Sequence, residues 1–148
     1  MHLSPTIIWK QQFTIEGINA LSVNTLNENL GIEFIEIGDD YLIGKMPVDN
    51  RTIQPLGLLH GGASASLAET IGSVASALCL EDLERKSTVG LEINANHLIG
   101  VRSGYVYGKA RPVRLGRNIH VWNIEIRDEE ANLVCVSRLT LAIVDRKW

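Results

Sequence analysis

Apolar residues recur along this chain with two different periods, and the changes of period mark out its elements. From Gly61 onward Leu67, Ile71, Val74, Ala75 and Leu78 fall at i, i+4, i+7, i+8 and i+11, one stripe of an α-helix. Beyond it the period shortens to two: Val89, Leu91 and Ile93 alternate, as do Trp122, Ile124 and Ile126. Leu133 to Val144 is nearly continuous in apolar and β-branched residues, and Tyr105 to Val113 predicts a further strand between Gly104 and a turn near Gly116. Upstream, the runs Ile32 to Ile37 and Tyr41 to Met46 flank Gly38-Asp39-Asp40 and predict two strands and a turn, with Pro47 ending the second. Thr14 is placed to cap a short helix through Ile18 and Leu21, with Glu16 in its first turn. This order predicts an α+β domain in which one long helix packs on an antiparallel sheet.

Length and charge narrow the picture. The 148 residues suit one domain, 1–148, and no repeat, low-complexity tract or linker divides them. A formal net charge of −3 gives no reason to expect nucleic acid or an anionic membrane as partner, so an anionic ligand must meet a local patch. The least polar stretch, Leu56 to Leu80, is interrupted by His60 and Glu69 and reads as an internal helix, not a membrane span. Met1 to Ile8 lacks a basic region followed by an apolar one, so export is not expected and a cytoplasmic location is. Cys79 and Cys135 form no disulfide framework and are expected to pack as small apolar residues.

Between Arg51 and Glu81 the only formally charged residue is Glu69. It lies about 200° around the helix from Leu67, away from the apolar stripe, and shares its side with Gly62, Ser66, Ser73 and Ser76. A solvated helix face is the ordinary place for a glutamate, but such a face carries several charges in i,i+4 pairs, and this one carries none. A lone carboxylate among small residues fits a crevice or a subunit interface, where burial raises its pKa and suits it to base chemistry.

His60-Gly61-Gly62 stands where the helix begins and its first N–H groups lack internal partners. Gly61 or Gly62 is therefore suited to donate a backbone N–H to a developing oxyanion, although a Gly-Gly pair alone marks no more than a tight turn. His2, His60, His97 and His120 lack the short spacings of a zinc site, and neither GxSxG nor a Walker loop occurs, so no metal is expected.

The string MPVDNRTIQPLGLLHGGASASLAETIGS from Met46, with VGLEINANH from Val89, RNIHVWNIEI from Arg117 and SRLTLAI near the end, resembles the hotdog-fold acyl-CoA thioesterases. The likeness is to the branch that hydrolyses 1,4-dihydroxy-2-naphthoyl-CoA and other aryl-CoA esters, such as 4-hydroxybenzoyl-CoA, and it spans almost the whole chain. It implies a hotdog fold, an antiparallel sheet wrapped around one long central helix, paired through a continuous sheet into a homo-oligomer, a dimer and beyond it a tetramer, with active sites at the subunit interface. It implies Glu69 as nucleophile or general base, Gln54 and His60 placing water and substrate, Gly61 as oxyanion donor and Ser73 facing the same cavity. Gly90, His97, Leu98, Ile99 and Gly100, with the loop Arg114, Leu115, Gly116, Arg117, Asn118 and Ile119, match the stretches that hold substrate and CoA.

One position departs from that pattern: Ile99 stands where relatives often carry a basic residue. Residues 99–118 offer a replacement, since they contain Arg102, Lys109, Arg111, Arg114 and Arg117 and no acid. The expected activity is hydrolysis of an aryl-CoA thioester in menaquinone biosynthesis, with no cofactor because CoA belongs to the substrate. Broader acyl-CoA or phenylacetyl-CoA hydrolysis is the alternative. A hotdog dehydratase is a second enzymatic reading, but its chemistry wants a His and acid pair arranged differently, and Gln54 with His60-Gly61-Gly62 and Glu69 favours hydrolysis. A non-catalytic acyl-CoA-binding module, a rival from another class, has no need for an isolated carboxylate beside an anion-binding helix end.

Overall fold

A computed structural model describes residues 6–148. The leader reading of Met1 to Ile8 and the placement of His2 fall largely or wholly outside these. Helix α1, Ile15–Ala20, starts where Thr14 accepts a hydrogen bond from the Gly17 N–H at 3.0 Å, with Glu16 in the first turn. A second short helix, α2 (Leu26–Leu30), is one that periodicity does not reveal; Thr25 caps it and Gly31, at φ 70°, closes it. At five residues it presents too few positions to show a stripe, and its caps are its only signal.

Strands β1 (Glu33–Ile37) and β2 (Leu42–Pro47) precede the 18-residue helix α3, Gly61–Leu78. Then follow β3 (Lys86–His97), β4 (Tyr105–Leu115), β5 (Ile119–Asp128) and β6 (Leu133–Asp145). They form one antiparallel sheet in the order β1-β2-β4-β5-β6-β3, wrapped about α3 as the hotdog fold requires. Leu67, Ile71 and Ala75 are fully buried against inward-facing Leu42, Met46, Val106, Trp122, Ile124, Leu139 and Leu141. Each large aliphatic or aromatic side chain so buried contributes about 1.5–3 kcal/mol. Cys135 lies in this core and Cys79 is half-buried, both as free thiols; burial pushes the Cys79 thiol up to about 12. No helix among the described residues is long and apolar enough to cross a membrane.

The sheet ends at β3, whose outer edge is unpaired among the described residues. Its pairing to β6 slips between Gly90 and Glu92, a bulge that leaves Leu91 without an opposite residue. The alternation of Val89 and Leu91 therefore marks a strand but not a buried face: the two are 40% and 59% exposed.

Candidate active site

Helix α3 carries the site's two chemical ends. At its start His60 is the N-cap, and its Nδ1 accepts the Gly62 N–H at 2.8 Å, which leaves Nε2 to carry the proton. This contact decides between the glycines: Gly62 is occupied, while the Gly61 N–H has no protein acceptor among the described residues. Gly61 faces a cleft of about 320 Å³ lined also by Gln54, Leu58, His97, Leu98, Ile99 and Gly100. His97, the last residue of β3, places Nε2 2.8 Å from where a Cβ on Gly61 would stand, so any larger residue there has to push the His97 ring aside. Gln54 sits in the turn closed by the Ile53–Leu59 bridge; its side-chain oxygen accepts the Leu56 N–H, which turns its amide NH₂ free.

Midway along α3, Glu69 is half-buried and has no ion-pair partner among the described residues. Burial holds its pKa above the ordinary carboxylate value, and the Ser73 hydroxyl, donating to Oε1 at 3.4 Å, pulls the other way. Its Oε1 also lies 2.7 Å from where a Cβ on Gly90 would be. Gly90 thus belongs beside the carboxylate. A helix rises about 1.5 Å per residue, so Glu69 stands about 12 Å along the axis from Gly61.

The expected open small-residue face is only partly open. Ser66 turns back to bond the Gly62 carbonyl at 2.8 Å, and Ser76 is fully buried, with its hydroxyl 2.5 Å from Nδ1 of His120 on β5. His120 is 4% exposed and burial holds its pKa below the ordinary value. The sequence reading weighed His120 only as a metal ligand. Its place two residues before Trp122, in register with Ile124 and Ile126, was the signal that it points inward.

The predicted CoA-binding residues divide into two groups. His97 to Gly100 line the cleft at the start of α3, whereas Leu115, Gly116 and Arg117 line a separate hollow of about 590 Å³ at its other end, with Lys10, Lys86 and His120 and the acids Glu81 and Asp82. Arg114 to Ile119 run from the end of β4 through the turn to the start of β5, fastened by Gly116 N–H to the Ile119 carbonyl at 2.9 Å and by Ile143 N–H to the Asn118 carbonyl at 2.8 Å. The basic run 99–118 is therefore not one patch. Strand β4 spans 11 residues, about 35 Å, between Arg102 and Arg117. Lys109 stacks 3.8 Å from the Tyr41 ring centroid and Arg111 pairs with Asp40 at 2.9 Å, an acid far away in sequence. Arg114 and Arg117 make no ion pair among the described residues.

Comparison with known proteins fits this chemistry. Residues 56–135 match the family model described as the thioesterase superfamily. The crystal structure of a Haemophilus influenzae thioesterase, 56% identical, superposes with a TM-score of 0.90 over 93% of this chain and 95% of that one. The 1,4-dihydroxy-2-naphthoyl-CoA hydrolase of Escherichia coli K12 is 53% identical over 138 residues, 93% of this chain and 100% of that one. The proofreading thioesterase EntH of Cronobacter turicensis is 51% identical over 138 residues, 93% of this chain and 99% of that one. With about half its residues shared with such proteins along nearly all its length, the chain belongs to the thioesterase superfamily, has the hotdog fold and is a thioester hydrolase.

Proposed function

We propose that the protein, acting as one hotdog domain per chain, hydrolyses an aryl-CoA thioester, with 1,4-dihydroxy-2-naphthoyl-CoA the favoured substrate and menaquinone biosynthesis the setting. The observation that carries the reading is the distance between Glu69 and Gly61. A desolvated carboxylate and a free helix-start N–H are the two groups thioester hydrolysis needs, yet about 12 Å separates them in one chain. They meet on one thioester only when contributed by different copies.

The edge strand β3 supplies a way to do this. Gly61 lies beside His97 and Glu69 beside Gly90. If β3 pairs antiparallel with β3 of a second copy so that Gly90 stands opposite His97, each Glu69 reaches the other copy's Gly61. The same pairing brings residues 98–100 of one copy toward the turn 114–119 of the other, since that turn bonds to Ile143, the neighbour of Thr88 on β3. The divided CoA residues are thereby reunited, and exposed Val89 and Leu91 are covered. A dimer is the minimum assembly, and a tetramer of two such dimers is the expected form.

In this site the Gly61 N–H donates to the thioester oxygen, where the helix dipole favours the charge that develops. The Gln54 amide and His60 Nε2–H are donors that hold substrate and water. Glu69 then either attacks the carbonyl carbon, expelling the CoA thiolate and leaving an anhydride that water opens, or takes a proton from water as that water attacks. Single turnover in heavy-oxygen water separates the routes, because only the anhydride can leave label in Glu69.

Thiol release from a panel of CoA esters tests the proposal. The naphthoyl ester should give the highest kcat/KM; no release from any ester would overturn hydrolysis of CoA esters, and a uniformly high rate would replace one substrate by broad aryl-CoA or acyl-CoA specificity. The nearly equal identity to EntH favours keeping that second reading in the panel. Sedimentation at micromolar concentration should show no monomer; a fully active monomer would refute the shared site.

A further inference from the structure

Glu69 is the only charged residue on α3, and no cation among the described residues holds its carboxylate in place. Ser73 contacts it at 3.4 Å, at the long end of the hydrogen-bond range, and so restrains it weakly. What confines it is the backbone of β3. Gly90 borders the bulge at Leu91, and the three atoms nearest a Cβ built on it are Oε1 of Glu69 at 2.7 Å, its Cδ at 3.7 Å and its Oε2 at 3.9 Å. The Glu69 carboxylate is thus what a side chain at residue 90 would meet first.

We infer that Gly90 is a positioning residue for Glu69: by lacking a Cβ it leaves, at the β3 bulge, the one place where the carboxylate rests while it acts on the thioester. This inference rests on the role proposed for Glu69. A glycine within a strand ordinarily weakens it, because glycine adds backbone freedom to the unfolded chain and packs nothing. The three atoms nearest an alanine methyl here all belong to the far end of one flexible side chain, so the fold accommodates it and the carboxylate moves. Stability and activity should therefore change in opposite directions.

The test is Gly90→Ala in the full-length protein. Its melting temperature should equal or exceed that of the wild type, while kcat falls about 10- to 100-fold, in line with displacing a reacting group by about an ångström, and KM stays within about twofold. The acid limb of kcat should move to lower pH as the displaced carboxylate meets more water. A double-mutant cycle gives the sharper readout: Glu69→Asp, one methylene shorter, should cost less in the Gly90→Ala background than in the wild type, because aspartate does not reach the added methyl. A Gly90→Ala enzyme with wild-type kcat, a loss confined to KM, or strictly additive losses in the cycle would overturn the positioning role. If Glu69→Gln keeps normal kcat, the role of Glu69 and this inference fall together; if Glu69→Gln is inactive and Gly90→Ala is not, only the inference falls.

Discussion

Glu69 and Ser76 occupy nearly the same angular position on α3, two turns apart, and meet opposite surroundings. Glu69 lies toward the edge of the sheet, half-buried against the β3 bulge, with one weak hydrogen bond. Ser76 lies under β5, fully buried, paired with a histidine that is itself inside. The helix directs both side chains the same way, and the sheet decides which of them a substrate can reach. A polar group under the middle of the sheet must be satisfied by the protein, whereas one at the edge can keep unspent bonding capacity for a ligand.

The largest expected effect breaks the open half of this pair. Glu69→Gln keeps size and reach but removes the charge, so kcat should fall about 10² to 10⁴, or roughly 3 to 5.5 kcal/mol, in a folded protein. The stability change has a defined sign. Burial raises the Glu69 pKa in the fold, so its contribution is fully present below the unfolded value of 4.5 and is lost as pH rises through the folded one. Glu69→Gln should then melt no lower than the wild type at pH 8, with any advantage vanishing at pH 4. A stable variant of near-normal kcat would end the assignment.

Ser76→Ala attacks the sealed half and should do the reverse. It leaves a buried imidazole nitrogen without its partner, which costs about 1–3 kcal/mol in urea unfolding, while kcat stays within about twofold. His120 adds a pH signature. Burial lowers its pKa, so its contribution to stability is present above the ordinary 6.5 and is lost as pH falls through the lowered folded value. The double variant Ser76→Ala/His120→Leu removes both polar groups and should recover stability relative to Ser76→Ala and unfold less readily between pH 6.5 and 5. Activity loss equal to that of Glu69→Gln would erase the distinction between the two positions.

The same contrast applies to the cations. Arg117 makes no ion pair among the described residues and faces a hollow, while Arg111 is held by Asp40 and Tyr41. Arg117→Ala should raise KM for CoA esters several-fold, about 1 kcal/mol, and spare truncated pantetheine thioesters; Arg111→Ala should leave KM unchanged. Equal losses on both thioesters would remove the nucleotide role of Arg117. Smallest is Ser73→Ala, which deletes the one contact lowering the Glu69 pKa. The acid limb of its pH–rate profile should shift upward, with kcat at pH 8 within a few-fold of wild type; a downward shift would mean that Ser73 does not bond the carboxylate.

Local periodicity by itself determined the order of the elements, the stripe Leu67-Ile71-Ala75-Leu78 that faces the core and the isolation of Glu69, because each depends on residues within a few positions of one another. It also placed His60 at the helix start. Only the tertiary structure decided that His60 occupies Gly62 and frees Gly61, that Ser76 is sealed by His120 and that Asp40 neutralises Arg111. Helix α2 and the exposure of Leu91 were beyond the pattern for related reasons: five residues carry no period, and an alternating strand does not say whether it lies at an edge. Contacts between distant residues depend on which strands become neighbours. That is settled by closing the whole sheet around α3, and no short window of sequence records it.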